Sequence, residues 1–415
     1  MESSAPSTET TATTGSVAPA EGGFADVSGG MDHPRRSLVE GSAWPVQQLR
    51  AGVNQRIVTA SSPIPDRSFQ PASLDLRLGP VAYRLRCSFL PGTRRVQDVL
   101  PAYTMGTLDL TGGAVLDRNR PYLIPLLEEL NLPASVRARV NPRSSTGRLD
   151  IFTRLITDAG EQFDDVVPGY RGPLYLEVVP RSFTIKVAEG LALSQLRLFT
   201  DDPDLDDIQL VDAHKNSPLL YDGGDPIPLQ DVRVRHGLFV SVDLSGDMLP
   251  GRIVGYRAKK NSRLLDVSAS GQYEPHDFWE PVRGEAGGVL VLEPEEFYLL
   301  YSKERVRIPR HLAAEMIAFD PSSGELRTHY AGFFDPGFGE RPGGDQGAYA
   351  VLEVRAHDVP FALAHGQRVS KLAFQRLKEP SSTPYGPEIG SRYNSRTVVL
   401  LPRQFSADSE AQPVL

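Results

Sequence analysis

The chain has 415 residues, enough for two or three domains, and its 40% apolar and 23% charged residues are ordinary for a globular protein. A formal net charge of -8 disfavours a general affinity for nucleic-acid polymers, which needs a basic face that neutralises many phosphates. The single cysteine, Cys87, excludes a disulfide framework and a thiolate metal cage, and no run approaches the length of a membrane span, so a cytoplasmic protein without a membrane partner is expected.

Residues 1 to about 40 are dominated by Ser, Thr, Ala, Gly and Pro, cannot bury enough apolar surface to offset their ordering entropy, and are expected to be disordered. The opening Met1-Glu-Ser-Ser-Ala-Pro6 lacks the basic and apolar segments of a secretion signal. A short helix is expected near Pro45 to Ala51. Alternating apolar positions then mark strands at Leu74-Asp-Leu-Arg-Leu78, Leu174-Tyr-Leu-Glu-Val178, Leu191-Ala-Leu-Ser-Gln-Leu196 and Val369-Ser-Lys-Leu-Ala-Phe374. With 37 glycines and 35 prolines between such strands, the pattern predicts a mostly β fold with few short helices. Cys87 reads as a buried small hydrophobe.

The run Arg143-Ser-Ser-Thr-Gly-Arg148 sets small donors between two guanidinium groups, whose forks suit phosphate oxygens and stay charged at any working pH. The hydroxyls of Ser144 and Ser145 and the backbone of Thr146 and Gly147 could wrap an anion. Spacing alone leaves a solvated turn equally open. Downstream, Gly169-Tyr-Arg-Gly172 leads into a strand where Glu177 sits among apolar neighbours, a costly place for a charge that is neither paired nor used. It reads as a proton shuttle or as an ion-pair partner. Together these residues suggest a nucleoside triphosphate that reacts at its base.

The chain also repeats itself. Tyr122 precedes Pro133 by 11 residues, as Tyr298 precedes Pro309, and Glu177 precedes Gly190 by 13, as Glu353 precedes Gly366. Ser194 and Leu196 follow the first glycine as Ser370 and Leu372 follow the second, and Ser73-Leu-Asp-Leu76 answers Ser241-Val-Asp-Leu244. Two homologous β domains are expected, roughly 45–205 and 230–400, between a 1–40 tail and a 401–415 tail. Turn-forming Asp201-Asp-Pro-Asp204 and Tyr221-Asp-Gly-Gly-Asp-Pro226 read as linker, with bounds at 206–229. Recurrence of Glu177 as Glu353 favours a shared role for both.

Zinc deaminases of nucleobases need a Pro-Cys-x-x-Cys pair, which one cysteine rules out. None of the eight histidines shows His-Glu-x-x-His spacing, and His329, the one beside an interesting loop, reads as structural. No phosphate loop of the Gly-Lys-Ser type and no dinucleotide fingerprint is present.

Phe69-Gln-Pro-Ala-Ser-Leu-Asp-Leu-Arg-Leu-Gly79, Arg143-Ser-Ser-Thr-Gly-Arg148, the Pro-Gly-Tyr turn with Leu176-Glu177, and the late Pro384-Tyr385 and Ser391-Arg392-Tyr393 resemble the dCTP deaminase branch of the dUTPase-like β-barrel superfamily, in its long two-domain bacterial form. The likeness covers about residues 45–400 in tandem. It implies tandem distorted β barrels of the β-clip kind and hydrolysis of dCTP to dUTP and ammonia, a step toward dUMP and dTTP. By the same resemblance Glu177 would activate water, Arg148 and Ser144 would orient it and the base, and Arg143 and Ser145 would hold phosphates. Thr146, Gly147, Tyr175, Leu176 and Ala331 complete the expected binding set around these positions, with Arg396 in the tail. Magnesium would arrive with the triphosphate, and no zinc is expected.

Two departures from the family pattern shape the expected site. The acid before Pro-Gly is Val167 in the first repeat and Asp335 in the second, while Pro321-Ser-Ser-Gly-Glu-Leu-Arg327 carries its arginine out of register with Arg148. Each repeat keeps a different part of the site. A composite pocket is therefore expected, with the first repeat's turn facing Asp335 and Glu353 and closed by Tyr385 and Arg392. The tail reads Arg392-Tyr-Asn-Ser-Arg396 where the family has Lys-Tyr-Gln-Gly-Gln. Other readings are a dUTP diphosphatase or bifunctional enzyme, and a non-catalytic nucleotide-binding regulator. Superfamily barrels usually trimerise, so a homo-oligomer is expected, with a pseudo-hexamer of three chains and a pseudo-trimer both open.

Overall fold

The alternation that marks strands also decides what each strand buries. In the computed structural model, which describes residues 41–406 except 286, 319–325, 329–331, 342–345, 357, 387–388 and 390–398, Leu74 and Leu76 of the Leu74–Arg77 strand enter the core while Asp75 and Arg77 face the other way. Arg77 donates from Nε to Glu128 at 2.6 Å and from its backbone N–H to the same carboxylate at 2.7 Å, so two buried charges satisfy each other. The expected tail over 1–40, His329, Ala331, Arg392 and Arg396 all lie outside the described residues.

The first half folds two antiparallel sheets. One places the Ala192–Thr200 strand between Leu74–Arg77 and Val136–Pro142, and the other places Tyr122–Asn131 beside Arg171–Pro180, which also pairs with Ile151–Thr157. The second half repeats the pattern. Arg368–Arg376 pairs with both Leu238–Ser241 and Leu312–Ala318, and Phe297–Val306 pairs with Ala348–Ala356. Glu177 stands opposite Leu123 and Glu353 opposite Leu299, so the two carboxyls occupy one register of one duplicated sheet. The mostly β, duplicated architecture is the one the repeats predict.

The halves share a core. Phe183 of the first half lies 5.5 Å from Phe278 and 5.3 Å from Trp279 of the second, edge to face, and all three are fully buried. Burying one such side chain contributes roughly 1.5–3 kcal/mol. Ile185–Val187 and Leu265–Asp266 add a parallel strand pair across the same boundary. Arg197, wholly buried, donates from the Ala192–Thr200 strand to the Ala314 carbonyl at 3.0 Å, to Gln375 at 2.9 Å and to Asp335 at 3.1 Å, and stacks 4.0 Å over the Phe333 ring.

One local reading holds and two change. The helix expected near Pro45 runs Val46–Asn54. Between the turn formers read as linker lies a second helix, Asp207–Asn216, opened by a capping box between Asp206 and Gln209, and Leu220–Asp222 then joins the Phe297–Val306 strand. Cys87 is exposed rather than buried, because it lies just past the Val81–Leu85 strand where the chain leaves the sheet. No helix among the described residues is long and apolar enough to cross a membrane.

Candidate active site

Asn141 and Pro142 end a strand whose next residue, Arg143, stays extended before the single helical turn Ser144–Gly147. The Arg143 carbonyl accepts from the N–H of Thr146 at 2.8 Å and of Gly147 at 3.0 Å. That corrects the expectation for this loop: the Thr146 and Gly147 N–H groups are spent inside the turn and cannot wrap an anion, and Thr146 is buried beneath it. Ser144 and Ser145 stand on the open side.

They open onto a cavity of about 560 Å³, within the size range of nucleotide sites. Its walls come from both halves. The first half gives Asp75, Arg143, Ser144, Ser145, Gly147, Arg148 and Gln195, and the second gives Asp335, Tyr349, Val351, Glu353, Tyr385 and Arg403. The turn of the first half and Asp335, Glu353 and Tyr385 of the second thus line one cavity within a single chain, while Arg392 of the expected closure lies outside the described residues.

Glu353 lies directly over the turn. A β-carbon placed on Gly147 would stand 2.7 Å from the Glu353 carboxyl carbon, so only a glycine leaves room for it. Surrounded by protein yet touching the cavity, Glu353 is pushed up to about 8 by burial; Arg148 pulls it down and Asp150 pushes it up further. Arg148 is buried and donates to the carbonyls of Val399 at 2.6 Å and Leu400 at 3.2 Å, so its guanidinium is fixed beside the carboxyl.

Asp75 is the second acid of the cavity. Burial raises it to about 6 against the pull of Arg143, whose Nε lies 3.3 Å away. Asp335, the third, is also raised by burial and held by Arg197. Tyr385 packs on Phe338 at 5.5 Å from the second half's Pro-Gly-Phe turn, where Gly337 has a φ of +93°.

Three expected residues fall elsewhere. Glu177 does not reach the cavity. It is 1% exposed, hydrogen-bonded to Ser88 and near Arg154, with burial raising its pKa and no hydrogen-bond partner for Oε2 among the described residues. Tyr175 packs with Leu85, Phe89, Val96 and Val99, and Leu176 lies in the main core. The physical reason is one segment, residues 86–103, which runs over the first half's sheet and is fastened there by Val96 N–H to Asp158 at 2.7 Å and Ala159 N–H to the Arg94 carbonyl at 2.9 Å. The second half's strand supplies the cavity instead, through Tyr349, Val351 and Glu353.

Several lining residues were not expected. Asp75 and Gln195 belong to motifs that the repeat had already marked, so the signal was present. Arg403 gave none: it follows the tail residues, and only the packing of that tail explains it. Residues read as a tail are docked, with Phe405 4% exposed among Tyr273, Phe278 and Trp279, and Gln404 donating to the Val267 carbonyl at 2.8 Å.

Residues 41–202 match the family model described as 2'-deoxycytidine 5'-triphosphate deaminase N-terminal domain, and residues 206–405 match that of the C-terminal domain. A dCTP deaminase of Natronomonas pharaonis is 34% identical over 141 residues, which is 33% of this chain and 68% of the relative. A protein of Corynebacterium glutamicum named dCTP deaminase, dUMP-forming, is 36% identical over 146 residues, 34% of this chain and 71% of the relative. The crystal structure of 2'-deoxycytidine 5'-triphosphate deaminase from Agrobacterium tumefaciens superposes with a TM-score of 0.79 at 42% identity, covering 85% of this chain and 100% of that one.

Proposed function

Because the chain belongs to the 2'-deoxycytidine 5'-triphosphate deaminase family, we propose that it hydrolyses dCTP to dUTP and ammonia and that Glu353 moves the protons. One observation carries the reading: the Glu353 carboxyl, raised to about 8, lies against the Arg143–Arg148 turn in a nucleotide-sized cavity. A carboxyl with a pKa near the working pH can take a proton and return it within one turnover.

In this reading ionised Glu353 takes a proton from water as the oxygen attacks C4 of the cytosine. The same carboxyl then gives that proton to the exocyclic nitrogen, the C4–N bond breaks, and ammonia leaves. Arg148, fixed by the Val399 and Leu400 carbonyls, favours the ionised carboxyl, and Ser144 orients the water. Arg143 and Ser145 hold phosphates, with Tyr385 on the closing side. The substrate is the magnesium complex of dCTP, so the cation enters with the triphosphate, and zinc takes no part. The protein works as a cytoplasmic homo-oligomer.

A second reading is favoured by Asp335. A diphosphatase needs an acid before the Pro-Gly turn; the first half lacks it, but the composite cavity contains it. Some relatives carry names that specify dUMP formation. Incubating the purified protein with dCTP and magnesium, with and without a zinc chelator, and following ammonia, dUTP, dUMP and pyrophosphate separates the readings. Ammonia matched by dUTP supports the deaminase, and ammonia with pyrophosphate supports the bifunctional form. Tight nucleotide binding with no product from dCTP or from added dUTP rejects both and leaves a nucleotide-binding regulator.

A further inference from the structure

Glu353 is held against the turn by a closed circuit of contacts. Gly147 touches the Glu353 carboxyl, and the Gly147 carbonyl accepts from the Asp150 N–H at 2.8 Å. Asp150 pairs with Arg355, and Arg355 stands two residues from Glu353 on the Ala348–Ala356 strand, hence on the same face. Both members of the pair are buried, with side chains 0% and 4% exposed. Asp150 has a φ of +55°, which a left-handed exit from the turn requires, and Ser182 donates to its carboxylate at 2.5 Å. The Arg355 guanidinium also reaches the Glu295 carbonyl, and Glu295 in turn pairs with Arg181, whose backbone N–H donates to the Asp150 carbonyl at 2.9 Å.

The pair joins the halves at the one place where the turn and the carboxyl must meet. Two residues past Glu177, the corresponding position is Val179, so the first half's strand has no such clamp. We propose that Asp150 and Arg355 are positioning residues: their buried pair locks the register between the Ser144–Arg148 turn and the Glu353 strand. The proposal rests on the reading that this site deaminates dCTP.

Electrostatics give the pair a second signature. The charged groups facing Glu353 are Arg148 and Asp150, and Asp150 is itself balanced by Arg355. Removing the Asp150 charge takes away a carboxylate that opposes ionisation of Glu353 and so favours its ionised form, whereas removing the Arg355 charge takes away the cation paired with Asp150 and disfavours it. A pair that only held the fold together would not move the pH profile in opposite senses.

The test uses the full chain, as wild type, D150N, R355Q and the double variant D150N/R355M, which removes both charges together because an unpaired buried ion can prevent folding. Ammonia release from dCTP is followed from about pH 5.5 to about 9.5, since kcat/KM reports groups of the free enzyme. Ammonia release by wild type tests the deaminase reading; comparison among the proteins tests the pair. The midpoint of the rise in kcat/KM is expected to move down by about half a unit or more in D150N and up by as much in R355Q. The double variant is expected to fold with a midpoint between the two and to lose about tenfold or more in kcat, with KM changed less than about threefold. Shifts of the same sign in both single variants, or wild-type kcat in the double variant, would overturn the proposal. If neither single variant folds, the double variant's kcat decides.

Discussion

The carboxyl carbon of Glu353 lies 2.7 Å from the point where a β-carbon on Gly147 would stand. Two halves of one chain therefore meet through a residue whose only side chain is a hydrogen. Glycine here is required by close approach rather than by backbone conformation.

Replacing Gly147 with alanine must push the Glu353 carboxyl aside, because the atoms nearest the added carbon all belong to that carboxyl. Misplacing a reacting group by about 1 Å costs on the order of 100-fold, so G147A is expected to lose about that factor in kcat. Overpacking also destabilises by about 1–3 kcal/mol, which a thermal melt would register. Wild-type ammonia release by a folded G147A protein would show that the Glu353 position does not matter.

The duplicated carboxyls differ in what covers them. Glu177 lies under residues 86–103 and touches Ser88, while Glu353 opens into the cavity. E353Q, which keeps the shape and removes the proposed proton shuttle, is expected to lose about 100- to 10,000-fold in kcat. E177Q is expected to stay within about threefold, since its burial already favours the neutral form. Ammonia assays on both variants decide the assignment, and a larger loss in E177Q would reverse it.

That pair also shows how far the chain could be read from its residues. Repeat spacing was enough to find both carboxyls, and the complementary departures at Val167 and Asp335 were enough to expect a pocket shared by the halves. Nothing in either strand's sequence shows that the 86–103 segment folds back over Tyr175 and Glu177, because that depends on long-range packing of Phe89, Val96 and Val99. Arg403 was hidden for a similar reason: its position depends on Phe405 finding an aromatic nest in another sheet. Local pattern carries register; coverage of a face is a tertiary property.

Stability should depend on pH through Glu353 with a definite sign. Its carboxyl is raised from 4.5 to about 8 by burial. Below about 4.5 the group is protonated in both states and its contribution is fully present; as pH rises the unfolded chain ionises while the folded chain keeps its proton, so stability falls until about pH 8 and then levels. Asp75 and Asp164, raised to about 6 and about 7, act in the same direction. E353Q keeps those two and lacks only the first, so the wild-type melting temperature is expected to drop relative to E353Q across that window. Calorimetry of both proteins from about pH 4.5 to about 8.5 checks it, and a constant difference would contradict the buried state of Glu353.

Ligand stoichiometry follows from the same asymmetry. The proposed nucleotide site needs a turn bearing Ser144, Ser145 and Arg148 together with an open carboxyl on the facing strand. The first half gives the turn and covers its own carboxyl, and the second half gives the open carboxyl. Among the described residues this leaves one complete set, whereas two intact repeats would have made two. Titration calorimetry with dUTP, the product, is expected to give about one site per chain, and the same value for E177Q. R148A should weaken that binding, because it removes a charge held inside the cavity by the Val399 and Leu400 carbonyls. Two equal sites per chain would mean that the 86–103 segment moves off Glu177 when nucleotide binds, and the assignment of that carboxyl as covered would fall with it.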